Sequence, residues 1–294
     1  MPHNVETARA PFGTLAEILA LDRIGEHHFR AAPRSHPPRR KFGGETMAQA
    51  AVAAASTVEA DRPLHAVHTH FLSPADSAAP TVYTVTRLRD GRSFTARRVQ
   101  ARQDDRQVAD TTMSFHRQQS GFTHDNPFEM PAQPGKIPDP AQQLAGDEEI
   151  LDWYLDLAGR GAVEFRFPGG PYRARVATGE RTPRHQSLWL RSATPLPPDP
   201  AQNQAALLYL TDYLMLGLAA MHHGVTVQDP GAVVATVNHS VWFHAPGRAD
   251  DWVLHQQHTP WAGSGRALTE GQLYAADGHL LATTRQEGVI SRTR

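Results

Sequence analysis

Ala66-Val67-His68-Thr69-His70-Phe71-Leu72-Ser73-Pro74 and Asn238-His239-Ser240-Val241-Trp242-Phe243-His244-Ala245-Pro246 decide the fold, because they read as one segment written twice. Their alignment sets Phe71 on Phe243 and Pro74 on Pro246, an offset of 172 in both cases (243 − 71, 246 − 74). Further on, Val108-Ala109 falls on Leu281-Ala282 at 173. A repeat of that span marks an internal duplication, and a polar residue present in only one copy becomes a candidate for function.

Working outward from these segments, alternating apolar residues predict strands at 64–72, 81–88, 93–101 and 107–116, joined at Asp90-Gly91 and Asp104-Asp105. The second copy predicts strands at 233–243, 252–258, 265–275 and 280–290, with turns at Gly263-Ser264-Gly265 and Asp277-Gly278. A helix precedes each meander. Phe42-Gly43-Gly44 opens an alanine-rich one running from Glu45 to Val58, whose small side chains let a sheet approach closely. The other is predicted as one continuous helix over 200–223, with Asp199 as N-cap, Pro200 in its first turn and Gly224 as its stop. A short helix at 12–24 and strands at 26–31, 163–168 and 186–192 complete the elements. The fold class is therefore α+β, in two tandem units at 1–117 and 148–294. Between them lies a proline-rich linker, 118–147, expected to be extended.

Composition narrows the function classes. At 294 residues and 40 % hydrophobic content the chain can bury a core in each unit, and a formal charge of −1 offers no general attraction to nucleic acid or an anionic membrane. With no cysteine there is no disulfide, thiolate-bound zinc or thiol nucleophile. No apolar run is read as long enough for a membrane span, and Met1-Pro2-His3-Asn4-Val5-Glu6 lacks a leader pattern, so a cytoplasmic protein is expected.

Asp212 interrupts a segment, Ala205 to Leu218, that is otherwise almost wholly apolar. Burying a carboxylate costs several kcal/mol unless partners hold it, so Asp212 is either bonded structurally or placed for chemistry. Thr236 and Gln286 lie on the first and last strands of the second unit, and the twin of Gln286 at offset 173 is Met113. Read singly, the threonine suits a strand and the glutamine a solvated face. His68 and His70 share a strand face without a third ligand nearby, so no metal is assigned. His222-His223 complements a helix C-terminus, and Arg39-Arg40-Lys41 and Arg97-Arg98 read as solvated surface. There is no Gly-x-Ser-x-Gly elbow and no phosphate loop.

Four segments in order, Phe42-Gly43-Gly44, Thr211-Asp212, Ala235-Thr236-Val237-Asn238-His239-Ser240-Val241-Trp242-Phe243-His244 and Gln286-Glu287-Gly288-Val289-Ile290, resemble the acyl-CoA thioesterase II family over nearly the whole chain. The resemblance implies a double hotdog, two long helices each wrapped by antiparallel strands, and a homo-oligomer. It also implies an acyl-CoA substrate, no cofactor, and a water-orienting triad that maps onto Asp212, Thr236 and Gln286. Glu45 stands where the resemblance implies glutamine, and residues 160–185 diverge from it. The residues also suit the reaction unaided: a carboxylate to draw a proton from water, a hydroxyl and an amide to orient it, and backbone N–H groups near a helix start for the oxyanion. Two rival readings are a noncatalytic acyl-CoA or acyl-carrier binding protein, and a hydratase or dehydratase, which would want a histidine paired with an acid. The sequence reading places no histidine beside Asp212.

Overall fold

The computed structural model describes residues 13–34, 40–124, 128–144, 146–159, 163–177, 179 and 181–292. The first unit comprises α1 (Leu15–Leu19), β1 (Asp22–Arg23), β2 (His28–Ala31), α2 (Gly43–Ala55), β3 (Leu64–Phe71), β4 (Thr81–Asp90), β5 (Phe94–Gln103) and β6 (Arg106–His116). The second has β7 (Val163–Arg166), β8 (His185–Ser192), α6 (Pro200–Leu210), α7 (Met215–His222), β9 (Ala232–Phe243), β10 (Val253–Gly263), β11 (Arg266–Ala275) and β12 (Leu280–Arg292). Between them lie α3 (Pro140–Gln143) and α4 (Glu148–Gly159), and α5 (Tyr172–Ala177) follows β7.

All the strands join one antiparallel sheet in the order β1-β2-β4-β5-β6-β3-β9-β12-β11-β10-β8-β7. The second half is the first in mirror order. At the centre β3 pairs with β9, and His68 faces Ser240, a separation of 172 (240 − 68) that equals the repeat offset. Equivalent residues thus meet across a local twofold, where His68 Nδ1 and Ser240 Oγ share a 3.0 Å hydrogen bond and the His68 ring lies edge-on to Trp242.

Small side chains explain how α2 fits inside this sheet. Ala48, Ala50, Ala51, Ala53 and Ala54 are all buried, so β4, β5 and β6 pack close to the helix. The basic stretches expected at the surface do more than meet solvent. Lys41 is buried, giving 2.7 Å and 3.1 Å hydrogen bonds to Gln49 Oε1 and Thr81 Oγ1 and an ion pair at 3.4 Å to Glu45. Burial lowers its pKa while Glu45 opposes that shift. Glu45, where a glutamine was expected, is the acid that answers this lysine. Arg97 is 1 % exposed and ties the end of α2 to the β4–β5 hairpin through Thr57 and Asp90. Arg98 matches expectation as a surface residue, bonded to Asp110, and Arg39 lies outside the described residues.

The continuous helix expected over 200–223 is broken. Thr211 to Leu214 separate α6 from α7, with Leu214 in the left-handed region at φ 62°. Only α7 is the twin of α2, since Met215 lies 172 residues after Gly43 (215 − 43); it packs on β9 to β12, whereas α6 packs on α1, α2 and β8. In length and composition Pro200–His222 also qualifies as a possible membrane span, contrary to the sequence reading, but most of it is buried inside the protein.

The linker is likewise less extended than expected. It contains a 3₁₀ turn at Pro134–Lys136 and α3, and it is docked on the second unit: Trp189 Nε1 donates to Ala132 O at 3.0 Å, and Phe128 stacks on Tyr274. The sequence reading missed α4, although Asp147 caps it and Ile150, Tyr154 and Leu157 recur at helical spacing as its buried face.

Candidate active site

Asp212 lies in the break between α6 and α7, and buried side chains on three strands bond to carbonyls at and beside it. Gln257 Nε2 donates to Tyr213 O at 2.7 Å, Gln186 Nε2 to Gln257 Oε1 at 2.6 Å and to Leu214 O at 3.4 Å, and Thr269 Oγ1 to Met215 O at 3.1 Å. The Tyr213 carbonyl, inside the break, is thus satisfied from the sheet, while Leu214 O also accepts the Leu218 N–H of α7 at 2.9 Å. A left-handed leucine costs on the order of 1–2 kcal/mol, strain that these bonds over-determine.

Asp212 is 9 % exposed. Its Oδ2 accepts the Gly44 N–H of the first turn of α2 at 2.7 Å, so the carboxylate sits at the positive end of that helix. The approach explains the double glycine: a Cβ on Gly43 would stand 2.8 Å from Asp212 Oδ2, and one on Gly44 2.7 Å from Tyr209 O. Asp212 Oδ1 accepts a hydrogen bond from Gln286 Nε2.

A residue that sequence reasoning placed elsewhere completes the network. His239 is fully buried with Nδ1 3.5 Å from Asp212 Oδ1, so the expectation of no histidine beside Asp212 is wrong. It pairs with Gln286 across β9 and β12, and the polar residues Thr211 and Gln286 occupy both of its ring nitrogens. The bonds fix the protons. Thr211 Oγ1 gives its hydrogen to Leu208 O at 2.7 Å, so His239 Nε2, 3.2 Å away, must donate to Thr211. In the neutral ring Nδ1 is then an acceptor and takes one N–H of Gln286 at 2.9 Å, while the other N–H goes to Asp212. Both N–H groups being spent, the Gln286 carbonyl oxygen is left as an acceptor.

Thr236 reaches the same side of the sheet through an irregularity. It is three residues from His239, and strict alternation would put the two on opposite faces. A bulge between Glu287↔Asn238 and Gly288↔Thr236 absorbs one residue, Val237, and restores Thr236 to the inner face. Thr236 lines the cavity with Asp212 and Gln286, but among the described residues its hydroxyl bonds to neither. The first unit repeats the bulge between Leu64 and Ala66, yet its residues at the matching positions are Leu64, Val67 and Met113, all buried and apolar. The duplication thus carries one polar centre, not two.

That centre opens on a cavity of about 650 Å³ with walls from both units, among them Phe71, Val108, Leu216 and Val234. The starts of α2 and α7 both border it. Asp212 already occupies the α2 start, whereas Leu214 gives α7 no side-chain cap. Among the described residues no cluster of three metal-ligating side chains occurs.

Known proteins share both sequence and fold with this chain. The family described as acyl-CoA thioesterase matches residues 163–289, and the acyl-CoA thioesterase N-terminal domain matches 32–116. Acyl-CoA thioesterase 2 of Haemophilus influenzae is 34 % identical over 279 residues, spanning 94 % of this chain and 96 % of that one. The crystal structure of acyl-CoA thioesterase II TesB2 from Mycobacterium marinum superposes with a TM-score of 0.76 at 30 % identity, covering 95 % of this chain and 98 % of its own. A protein with the hot dog fold from Alicyclobacillus acidocaldarius superposes at 0.75 with 21 % identity, covering 95 % and 98 %, a likeness of fold alone.

Proposed function

Since this chain belongs to the acyl-CoA thioesterase family, we propose that it hydrolyses acyl-CoA to a carboxylic acid and CoA by direct attack of a water held by Asp212, Thr236 and Gln286. Asp212 takes the proton. Its bonds from Gly44 at the α2 start and from Gln286 fix its orientation. The Gln286 carbonyl oxygen and the Thr236 hydroxyl accept or share the water's remaining hydrogen, aiming its lone pair at the thioester carbon. As the carbonyl becomes tetrahedral, its oxyanion meets the first-turn N–H groups of Met215 and Leu216, which have no acceptor within α7 and border the cavity. Collapse expels the CoA thiolate, which needs little protonation.

The observation that carries this reading is the orientation of the Gln286 amide. Turned over, it would set its oxygen against the Asp212 carboxylate; as bonded, it presents an acceptor for water. A hydratase reading gains a histidine near the acid, but His239 has both nitrogens bonded and is sealed from solvent, so it is not placed to take a proton from substrate. Assembly into a homo-oligomer is part of the proposal, supported by Leu88 and Phe94, which remain exposed on neighbouring strands. Free-thiol release from acyl-CoAs of graded length tests the function. Activity in the wild type and a loss of roughly 10²–10⁴-fold in Asp212→Asn are expected; near-normal turnover in a folded Asp212→Asn protein would overturn the assignment.

A further inference from the structure

Arg173 on α5 borders the same cavity as Asp212 and is only 8 % exposed. Its Nη1 donates to Gln228 Oε1 at 2.6 Å, and its guanidinium lies over Trp153 with 4.8 Å to the ring centroid. The rest of the fork is uncommitted: Nε is buried without a partner, and among the described residues no bond is made by Nη2 and no carboxylate lies within ion-pair distance. The acid that acts on it from farther off, Asp229, is taken up by Thr226 at 2.5 Å and by Arg292 at 3.7 Å. A buried guanidinium without a counter-ion is costly, and an amide and an aromatic face offset only part of that cost.

Trp153 and Leu157 on α4 wall this part of the cavity, and α4 falls outside both stretches that match the family. Arg173 itself lies inside the second matched stretch, 163–289, although the sequence reading expected residues 160–185 to diverge. We propose that Arg173 is an anion-binding point of the substrate cavity, distinct from the hydrolytic centre, that takes a phosphate oxygen of CoA or a carboxylate carried by the acyl group. The inference rests on the acyl-CoA reading and adds a determinant of which acyl-CoA is bound. Guanidinium is suited to either group, because its planar donors pair with two oxygens at once.

Three thioesters of one chain length separate the sources: a saturated acyl-CoA, the S-acyl-pantetheine that lacks all phosphates, and the ω-carboxyacyl-CoA. Arg173→Gln is expected to raise KM by on the order of 10–100-fold, with kcat nearly unchanged, for each substrate that bears the anion. A phosphate contact raises KM for both CoA esters and leaves the pantetheine ester unaffected. A carboxylate contact raises it for the ω-carboxyacyl-CoA alone, which the wild type would then bind more tightly than the saturated ester. Equal effects on all three, an effect on kcat alone, or no effect would overturn the proposal. Arg173→Lys, which keeps the charge, should recover part of the affinity and is the variant to use if the glutamine protein does not fold. If the wild type hydrolyses none of the three, the failure lies with the hydrolytic reading. Calorimetric titration of the wild type and Arg173→Gln with CoA and with the ω-carboxyacyl-CoA then decides the anion site by itself: weaker binding of either ligand by the variant supports it, and equal binding of both refutes it.

Discussion

Replacing Gln286 by methionine, the residue its twin position carries at Met113, removes the amide at nearly constant volume. In the structure that amide gives one N–H to the Asp212 carboxylate and one to His239 Nδ1. A hydrogen bond to a charged group contributes about 1.5–3 kcal/mol and a neutral one about 0.5–1.5, so Gln286→Met should cost about 2–4 kcal/mol. At roughly 2–4 °C per kcal/mol for a chain of this size, the melting temperature should fall by about 5–15 °C. Turnover should drop further than binding, by on the order of 10²–10³-fold, since an orienting group acts mainly on the transition state. The assay is thiol release beside thermal unfolding, repeated for His239→Leu and for the double variant. Because the two residues share a hydrogen bond, the double variant should be less destabilised than the sum by at least about 1 kcal/mol. Additivity within about 0.5 kcal/mol, or normal turnover in Gln286→Met, would refute the network as drawn.

The other expectations draw on the supports of this site. His255 is fully buried beside Gln257, and burial, with a smaller contribution from His239, pushes its pKa down from its ordinary value near 6.5 to about 3. Its neutral form is favoured on folding, so stability is complete well above pH 6.5 and is lost as pH falls toward 3; between pH 6.5 and about pH 4.5 the loss should be about 2 kcal/mol. Urea unfolding should show that acid loss shrinking in His255→Gln, and an unchanged loss would contradict it. Gly44→Ala drives a Cβ to 2.7 Å from Tyr209 O and 3.0 Å from Asp212 Cβ; kcat should fall by about 10²-fold, and an unaltered kcat would show that the close approach does not matter. Residues 146–294 carry Asp212, Thr236 and Gln286 but lose the β3–β9 pairing, the Gly44 N–H and the Phe71 and Val108 walls. Expressed alone they should be nearly inactive, and a soluble, fully active fragment would refute the dependence on both units.

The sheet and its symmetry were legible because strands obey a local rule: alternation and turn residues recur at the repeat offset, and even the central pair, His68 and Ser240, is separated by that offset. Asp212 and Gln286 were legible because one breaks an apolar run and the other breaks the repeat. The helix break was not, since Thr211 to Leu214 contain neither glycine nor proline and the freed Tyr213 carbonyl is met by Gln257 from a distant strand. The place of His239 depended on cross-strand register, and that of Thr236 on a bulge, neither of which a single strand's pattern reveals. The burial of Lys41 and Arg97 was hidden for a related reason: their partners, Gln49, Thr81, Asp90 and Thr57, come from separate elements.

The central claim, direct attack of an oriented water on the thioester, is tested most directly by a single turnover in ¹⁸O-labelled water with enzyme in excess over acyl-CoA. Direct attack places one label in the released acid and none in the protein. An unlabelled first-turnover acid, with ¹⁸O found in the Asp212 carboxylate, would mean that Asp212 had itself attacked to form an acyl-enzyme and would contradict the account.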